Sequence, residues 1–347
     1  MTAYKTHGGC DVPWDFSTNA NCLGPCPHAL HAVRQVDHSR YPDSRYEALI
    51  KGLAAWHGVH ISRVLLGASA SELIGRIHMA LSLLSLNRSS GVCNVAVPKP
   101  AYGDYASSAL ACGHIVLRQD GLQGPEPAQI DLQWHTVPNS PLGQNPSLDQ
   151  LVALVAQSAS LHVVDAAYQT LLLDGQHLPR SLLDSVWSLW SPNKSLGLCG
   201  VRGAYAIAPV RSTSKSTLRF EALADLLRQL EPSWALGADG LAMLSAWVSE
   251  PVQSWLSQSL EPLRHLKVAQ LGMLNALGIR FQPSLSNFFV VQLASDSVLH
   301  TQRLQALLAR GVALRDTQSM GLPGWARMRV HTEHAQRALQ SAWKDIE

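Results

Sequence analysis

The sequence predicts an α/β protein with two domains, and three features of the chain carry this prediction. Between residues 64 and 165, short apolar runs alternate with helical stretches, which is typical of a mostly parallel sheet flanked by helices. After about residue 215 the pattern changes to a long helix-rich stretch followed by short strands and helices, which indicates a smaller α+β domain. The length of 347 residues exceeds what one ordinary hydrophobic core holds.

The N-terminal part begins with a segment that has little periodicity. Residues 1–27 are rich in Gly, Pro, Asn and Cys, so we expect an extended arm that joins the smaller domain. Residues 44–58 carry apolar groups at helical spacing and end at Gly58, which predicts a helix. The predicted strands of the large domain follow as Val64–Leu66, Val92–Val97, Ile115–Leu117, Trp134–Val137 and Leu161–Val164.

The C-terminal part is predicted to be mainly helical. A helix-rich stretch covers residues 217–278, and further helices are expected at 297–310 and from the last strand to residue 346. Its predicted strands are Asn287–Leu293, Val312–Arg315 and Arg327–Val330. We therefore place the large domain at residues 28–235 and the small domain at residues 236–347.

Composition excludes several classes of partner. Hydrophobic residues make up 46% and charged residues 15%, which suits a compact fold and argues against disorder. The net charge is +2 and the basic residues are scattered, so neither nucleic acid nor an anionic membrane surface is an expected partner. The N-terminus lacks the apolar core of a signal peptide, and no apolar run reaches the roughly 18–20 residues that span a bilayer. We therefore expect a soluble, cytoplasmic protein.

The six cysteines are expected to be ordinary reduced thiols. Cys10, Cys22 and Cys26 lie close together in the sequence, but no paired Cys/His motif with zinc spacing follows them. We therefore expect no metal site.

Two strand ends carry groups that suit a ligand with an anion and a protonated ring. The small residues 67–71 precede a predicted helix and leave main-chain N–H groups open to an anion, although Ser69 or Ser71 as a simple helix cap is the alternative. Asp165 ends an apolar strand, and a buried carboxylate is costly unless it meets a cation. A protonated pyridine nitrogen is one such cation, whereas a helix cap or a salt bridge remains the structural alternative.

The segment from Ser191 to Arg202 is the most informative stretch of the chain. Its glycines let the backbone turn tightly, and Lys194 sits among small and apolar neighbours. Partial burial disfavours the protonated amine, which helps a lysine attack an aldehyde. The guanidinium group of Arg202 is a rigid fork that suits phosphate or carboxylate. A solvated surface lysine would explain Lys194 alone but not the whole stretch.

Along nearly its whole length the chain resembles the class I/II aminotransferases that depend on pyridoxal phosphate (PLP). The family pattern Ser-x-x-Lys, followed eight residues later by Arg, matches Ser191, Lys194 and Arg202. A strand-end Asp followed three residues later by Tyr matches Asp165 and Tyr168. A Pro-x-Tyr ring stacker, a phosphate-cup turn and an Arg-Tyr-Pro-Asp motif also match in the family's order, at Tyr102, Gly67–Glu72 and Arg40–Asp43.

This resemblance implies fold type I of the PLP-dependent transferases, with a mostly parallel sheet between helices. It implies that Lys194 forms the Schiff base with PLP and later moves a proton. It also implies that Asp165 pairs with the pyridine nitrogen and that Tyr168 bonds the phenolic oxygen. The other implied contacts are ring stacking by Tyr102, phosphate binding by Ala70, Ser71, Ser191 and Arg202, and a phosphate contact from Tyr41 of the other subunit. A shared site of this kind implies a homodimer.

The chain departs from the family pattern at two points. The family's Asn-Pro-Asn-Asn-Pro-Thr-Gly is here Val137–Gly143, so strict register puts Ser140 where an Asn usually bonds the phenolic oxygen. Asn139 is its neighbour, and either residue remains a candidate for this contact. Asn193 replaces a usual Ser or Thr before the lysine and is a candidate for one phosphate contact.

Two subfamilies resemble the chain best, histidinol-phosphate aminotransferase and the threonine-phosphate decarboxylase group of cobalamin biosynthesis. The opening His7–Gly9, followed by Asp15–Asn21 and Leu23-Gly24, resembles the opening of the decarboxylase group, with Cys22 in place of a Pro. This resemblance makes His7 and Asn21 candidate substrate contacts.

Three arginines near the C-terminus are candidates for binding an anionic substrate. Arg315 and Arg327 resemble the arginines that lie at the substrate phosphate and carboxylate in both subfamilies. Two guanidinium groups match the two anionic ends of one small molecule. Arg329 is a further candidate, because in a strand it points to the same face as Arg327. A surface salt bridge is the alternative for any one of the three.

We expect decarboxylation of L-threonine O-3-phosphate to (R)-1-aminopropan-2-ol phosphate, for cobalamin biosynthesis. The alternative is transamination of histidinol phosphate or a related amino acid with 2-oxoglutarate. The substrate bond that is held perpendicular to the cofactor ring decides between them, and no sequence pattern shows that pose. A third hypothesis, a non-catalytic PLP-binding regulator, lacks the basic patch that it would need.

Overall fold

The computed structural model describes residues 8–86, 91–122, 130–210 and 217–347, so the candidate His7 lies outside the described residues. The strands are β1 (Trp14–Asp15), β2 (Val64–Gly67), β3 (Asn94–Pro98), β4 (Ile115–Gln119), β5 (Leu132–Thr136), β6 (Leu161–Asp165), β7 (Trp187–Trp190), β8 (Ala204–Ile207), β9 (Arg280–Phe281), β10 (Phe288–Gln292), β11 (Val312–Ala313), β12 (Arg315–Asp316) and β13 (Ala326–Arg329). The helices are α1 (Pro27–Arg34), α2 (Glu47–His57), α3 (Ala70–Ser85), α4 (Gly103–Ala111), α5 (Leu148–Gln157), α6 (Arg180–Leu183), α7 (Thr217–Gln229), α8 (Ala238–Trp247), α9 (Glu250–Ala276), α10 (Ser297–Ala309) and α11 (Glu333–Lys344).

The central element is a seven-stranded sheet in the order β2-β8-β7-β6-β5-β3-β4. The neighbours from β7 to β4 pair in parallel, and β8 runs antiparallel to both β7 and β2. The predicted mostly parallel α/β sheet is therefore confirmed. The sequence analysis does not identify β7 and β8, because a helix of only four residues precedes β7 and the described residues between β7 and β8 contain no helix, so the strand–helix alternation that marks the other strands is missing there.

Helices cover both faces of this sheet, and each face has its own apolar cluster. One cluster joins α1, α2, α5 and α8 to the sheet, and the other joins α3, α4 and α7 to it. Within β7, Trp187 and Leu189 belong to one cluster and Trp190 to the other, as the alternation of side chains along a strand requires. Burying each such side chain contributes about 1.5–3 kcal/mol.

The C-terminal part contains a four-stranded antiparallel sheet in the order β12-β13-β10-β9. The sheet shares an apolar cluster with α9 and α11 that includes Phe288, Met328 and Trp343. Phe16 of the arm belongs to the same cluster, and β1 pairs in parallel with β11. The arm thus packs against C-terminal strands. The boundaries expected for the arm and the two domains remain predictions.

The described part of the chain contains neither a membrane-spanning helix nor a metal-binding cluster. No helix there combines the length and the apolar character that crossing a membrane requires. No group of three or more His, Cys, Asp or Glu side chains there could hold a metal ion. The cysteines are free thiols.

A buried histidine links α3 and α4 to the sheet. The indole Nε1 of Trp134 donates to His78 Nε2 at 3.1 Å, and His78 Nδ1 lies 3.0 Å from Ser108 Oγ. Because an indole only donates, His78 Nε2 carries no proton in the fold. Burial, and to a smaller extent the neighbouring His114, lower the pKa of His78 to about 3.

We expect the free energy of unfolding to fall as the pH drops from about 6.5 towards the lowered pKa of His78. In this window the unfolded imidazole binds a proton while the folded one stays neutral, so acid favours the unfolded state. His78 should contribute about 1.4 kcal/mol per pH unit to the slope. Urea unfolding across this pH range measures the slope, and His78→Gln should reduce it by that amount. An unchanged slope would show that His78 takes up its proton within the fold.

Candidate active site

A cavity of about 250 Å³ lies at the carboxyl ends of the parallel strands. Its walls come from the N-terminus of α3, the loops after β3, β6 and β7, arm residues 8 and 17–19, and the strands β12 and β13. Ligands of α/β sheets bind at this edge. The predicted site residues that line the cavity are Ala70, Ser71, Tyr102, Ser140, Asp165, Tyr168, Ser191, Asn193, Lys194, Arg202, Arg315 and Arg327.

Lys194 lies in the turn after β7 and lines the cavity. The turn is packed closely against the arm: Gly197 has a φ of +67°, and a Cβ there would lie 3.0 Å from the Cα of Gly24, so only glycine fits. The Nζ of Lys194 is 5.3 Å from the centre of the Tyr168 ring. Among the described residues no side chain pairs with this amine, which leaves it available to a carbonyl ligand.

Asp165 ends β6 with a side chain that is almost fully buried. Its Oδ1 accepts a hydrogen bond from the Ala167 main-chain N–H at 2.9 Å, and its Oδ2 accepts one from the Tyr105 hydroxyl at 2.6 Å. Across the ranges that the structure describes, no Lys, Arg or His pairs with this carboxylate. A buried carboxylate without a cation is costly, so the position fits a ligand that brings one.

The N-terminus of α3 forms one side of the cavity. The Ser69 hydroxyl caps the helix by accepting from the Glu72 N–H at 3.0 Å, while Ala70 and Ser71 line the cavity. The two interpretations of this turn, helix cap and anion site, are therefore compatible. Open N–H groups at the start of a helix favour an anion.

The turn that carries Lys194 adds further polar groups beside this helix. Ser191 donates to Asn193 Oδ1 at 3.0 Å, and both residues line the cavity. Arg202 is exposed at the rim and forms no salt bridge with any described acid. A phosphate group at this end would meet a helix N-terminus, a hydroxyl and a guanidinium group.

Tyr102 forms the wall after β3. Its hydroxyl lies 3.1 Å from Ser71 Oγ and donates to Asp104 Oδ2 at 2.8 Å. Burial raises the pKa of Tyr102, so the side chain stays a neutral phenol. Its stacking on a cofactor ring remains a prediction.

The structure separates the two candidates for the phenolic-oxygen contact. Ser140 lines the cavity, and its Oγ accepts from the guanidinium group of Arg327 at 2.9 Å. Asn139 does not line it, because its amide donates to the Pro100 main-chain oxygen at 3.1 Å. Of these two residues Ser140 lies at the cavity, and which of them bonds the phenolic oxygen remains a prediction.

Arg315 and Arg327 are directly opposed residues of the antiparallel pair β12–β13. Both are almost fully buried and line the cavity, with their Cβ atoms expected about 4.5–5.5 Å apart on one face. Burial lowers the pKa of both guanidinium groups, and the charge of Arg327 lowers that of Arg315 further. Two like charges placed so closely suit an anion between them. Arg329 instead lies 2.9 Å from His331 Nε2, outside the cavity.

Two other candidates do not line the cavity of this chain. Asn21 is buried and its amide donates to Ser259 Oγ at 2.9 Å, so its contact with the substrate remains a prediction. Tyr41 is 79% exposed and stacks on Trp234, with ring centres 4.4 Å apart. An exposed Tyr41 is consistent with a contact to another subunit, which remains a prediction.

Tyr105 and Thr136 line the cavity without any sequence signal, and four further lining residues lie in the arm motif without having been named as contacts: Gly8, Ser17, Thr18 and Asn19. Asn19 donates to the Tyr168 hydroxyl at 3.4 Å, and the guanidinium group of Arg327 donates to the Ser17 main-chain oxygen at 3.1 Å. The arm motif points to this segment, but the pairing of β1 with β11 decides which of its side chains face the cavity.

The donor set of the cavity fits pyridoxal phosphate. The unpaired amine of Lys194 suits its aldehyde, and the buried Asp165 carboxylate suits its protonated ring nitrogen. The hydroxyl of Tyr168 suits its phenolic oxygen, and the N-terminus of α3 suits its phosphate.

Comparison with known proteins gives one family and several similar proteins. The sequence model of the family described as "Aminotransferase class I and II" matches residues 13–342. A histidinol-phosphate aminotransferase of Nitratidesulfovibrio vulgaris is 28% identical over 354 residues, which cover 95% of this chain and 88% of that protein. Histidinol-phosphate aminotransferase 2 of Pseudomonas aeruginosa is 28% identical over 348 residues, with the same two coverages of 95% and 88%.

Solved structures show the same fold at lower identity. L-threonine-O-3-phosphate decarboxylase from Porphyromonas gingivalis has a TM-score of 0.80 at 17% identity, covering 95% of this chain and 98% of that one. Histidinol-phosphate aminotransferase from Sinorhizobium meliloti, in complex with pyridoxal-5'-phosphate, has a TM-score of 0.79 at 18% identity, covering 97% and 92%. The expected fold of PLP-dependent transferases is confirmed by these likenesses.

Proposed function

Because the chain belongs to the class I and II aminotransferase family, we propose that it decarboxylates L-threonine O-3-phosphate to (R)-1-aminopropan-2-ol phosphate and CO2. It is a PLP-dependent enzyme. The place of this reaction in cobalamin biosynthesis is part of the same proposal.

The observation that carries the proposal is the pair of opposed arginines, Arg315 and Arg327, which line the same cavity as the arm. A small substrate with one phosphate and one carboxylate would bind one anion at Arg315 and the other at Arg327. Gly8, which belongs to the decarboxylase-like opening of the sequence, lines the same cavity. Substrate binding therefore involves the arm and the small C-terminal sheet together.

Some residues of the cavity would hold the cofactor, and others would orient the substrate. PLP, when bound, withdraws electrons from the substrate bond that breaks. Lys194 Nζ would hold the cofactor covalently and move a proton at the reacting carbon. The Asp165 carboxylate would accept a hydrogen bond from the protonated ring nitrogen, and Arg327 would bind the substrate carboxylate and fix its direction. The arm excludes water from the same side.

Product analysis tests the proposal most directly. The purified, PLP-loaded enzyme is incubated with L-threonine O-3-phosphate without any keto acid, and CO2 and aminopropanol phosphate are measured. Equal amounts of the two products are expected. Without CO2 release, the decarboxylase assignment fails for this substrate.

Transamination of histidinol phosphate is the second candidate, because the curated relatives described above carry that name. The phosphate-binding arginine would serve this substrate as well. The same preparation is incubated with histidinol phosphate and 2-oxoglutarate, and formation of glutamate is measured. Glutamate formation in the absence of any CO2 release would replace the decarboxylase by the aminotransferase.

A homodimer with shared sites is the third part of the proposal. Tyr41 and Trp234 form an exposed aromatic pair, with 79% and 46% of their surfaces accessible. Exposed aromatic pairs of this kind are typical of interfaces. In the proposed dimer the Tyr41 hydroxyl reaches the cofactor phosphate of the other subunit.

Mixed dimers test whether Tyr41 acts across an interface. Tyr41→Ala alone should raise the PLP dissociation constant about 10- to 150-fold, because a hydrogen bond to a charged group contributes about 1.5–3 kcal/mol. A Lys194→Ala subunit keeps its Tyr41, so a hybrid of the two variants contains one complete site. The active site of the hybrid should therefore bind PLP with the affinity of the wild type. A hybrid that keeps the weakened PLP affinity of the Tyr41→Ala parent would contradict the shared site.

A further inference from the structure

The carboxylate of Asp165 is the end of a buried chain of hydroxyl groups. Tyr105 donates to Asp165 Oδ2 at 2.6 Å, and Thr136 Oγ1 donates to the Tyr105 hydroxyl oxygen at 3.2 Å. All three residues line the cavity and are almost fully buried. Because a phenol has one proton and its oxygen already accepts from Thr136, the Tyr105 proton lies towards Asp165.

The inner hydrogen bond of this chain is charge-assisted. Its length of 2.6 Å is in the range typical of hydroxyl groups that donate to a carboxylate. Burial raises the pKa of Tyr105 well above its ordinary value, and the charge of Asp165 raises it further, so Tyr105 remains a donor. Hydrogen bonds in a chain polarise one another, so Thr136 strengthens the bond that Tyr105 donates.

The ring of Tyr105 is held independently of its hydroxyl group. It stacks on Trp134, with ring centres 4.8 Å apart and planes inclined by 19°. Both rings belong to the apolar cluster between the sheet and α3, α4 and α7. A phenylalanine would keep this packing, so the role of the hydroxyl can be measured separately from the role of the ring.

We propose that Tyr105, supported by Thr136, is a positioning residue that sets how strongly Asp165 holds the ring nitrogen of the bound cofactor. Among the described residues, Oδ1 of Asp165 accepts only the Ala167 N–H, and Tyr105 is the one side chain that donates to this carboxylate and so would share its negative charge with the cofactor. Without the hydroxyl, the carboxylate becomes a stronger acceptor towards the ring nitrogen. The inference rests on the cofactor and is independent of which substrate the enzyme uses.

The proton between the ring nitrogen and Asp165 gives a direct readout. Its low-field resonance is measured in the proton NMR spectrum of the PLP-loaded enzyme without substrate. Tyr105→Phe should shift this resonance further downfield, because a stronger acceptor deshields the proton. Thr136→Val removes only the hydrogen bond from Thr136 to Tyr105 and should give a smaller downfield shift. Thr136→Ser keeps the hydroxyl group, so its resonance should lie at the wild-type position.

A buried hydroxyl elsewhere supplies the matched control. Tyr205 is also fully buried, and its hydroxyl accepts from Trp247 Nε1 at 3.1 Å outside the cavity. Tyr205→Phe should leave the low-field resonance where it is. An equal shift in this variant, or unchanged resonances in both Tyr105→Phe and Thr136→Val, would overturn the proposal.

The PLP dissociation constant separates positioning from loss of charge. Tyr105→Phe keeps the carboxylate and should change this constant by at most about threefold. Asp165→Asn removes the charge and should raise it about 30-fold or more. An increase with Tyr105→Phe as large as that with Asp165→Asn would contradict a positioning role. Because no substrate enters these measurements, failure of the decarboxylase assignment leaves their outcome unaffected.

Discussion

Replacing Lys194 with alanine should lower turnover by about 10⁴-fold or more, whichever substrate proves correct. Its Nζ lies on the cavity wall and forms no hydrogen bond or ion pair with a described side chain, and no other lysine of that part of the chain lines the cavity. No neighbouring group can therefore replace its covalent bond or its proton transfer. Turnover is measured in the PLP-loaded enzyme. Borohydride reduction should attach the cofactor irreversibly to the wild-type chain but not to the variant. Mass spectrometry detects the attached cofactor.

Lys51→Ala is the matched control for this experiment. Lys51 lies on α2 with an exposed side chain, 3.6 Å from Glu47, and its loss should change stability by at most about 0.5 kcal/mol. Its turnover and its borohydride product should equal those of the wild type. Turnover retained by Lys194→Ala would reject Lys194 as the reacting amine, and cofactor fixed at another lysine would identify the true one.

Replacing Arg327 with methionine should change activity and stability in opposite directions. The guanidinium group is almost fully buried, its Nε has no hydrogen-bond partner, and no acid in the described ranges forms a salt bridge with it. Its loss should lower kcat/KM by about 30-fold to several thousand-fold, since the bound carboxylate loses a buried partner. The free enzyme should become more stable by about 1–4 kcal/mol, because a buried unpaired charge is replaced by an apolar side chain.

Steady-state kinetics and urea unfolding of the cofactor-free enzyme measure these two effects. Arg337→Met supplies the comparison, because Arg337 is exposed on α11 and pairs with Glu333 at 3.5 Å. It should leave both quantities nearly unchanged. If Arg327→Met loses activity and stability together, Arg327 is a structural residue, and the carboxylate site lies elsewhere.

Much of the large sheet could be predicted from the sequence, because most of its strands are short apolar runs that end in turn residues and alternate with helices. The predicted strand Val92–Val97 is found as β3 (Asn94–Pro98), shifted by one or two residues, and Leu161–Val164 is found as β6 with Asp165 added. β7 and β8 could not be predicted, since the described residues between them contain no helix and only a four-residue helix precedes β7, so the strand–helix alternation is interrupted there.

Site residues at or just after the end of a strand could be predicted from the sequence. Residues in the irregular segments were harder to assign to the cavity. Lys194 and Asp165 line the cavity because strand ends gather at one edge of the sheet. Asn139 does not, because it begins a turn in which the Gly143 N–H donates to its main-chain oxygen at 2.6 Å, and the sequence alone does not show which side chains of such a turn face the cavity. In the arm, contacts with residues far away in the sequence decide which side chains face the cavity. One such contact is the hydrogen bond that the Asn287 amide donates to the Ala20 main-chain oxygen at 3.2 Å.

The hydrogen bond between Ser17 and Arg327 joins residues that are 310 positions apart. At a synthesis rate of about 5–20 residues per second, the ribosome takes about 15–60 s to travel from one to the other. During that time Phe16 of the arm lacks the C-terminal residues that bury it in the folded protein. The nascent chain can build much of its central sheet, but its cofactor pocket closes only when translation has passed β13.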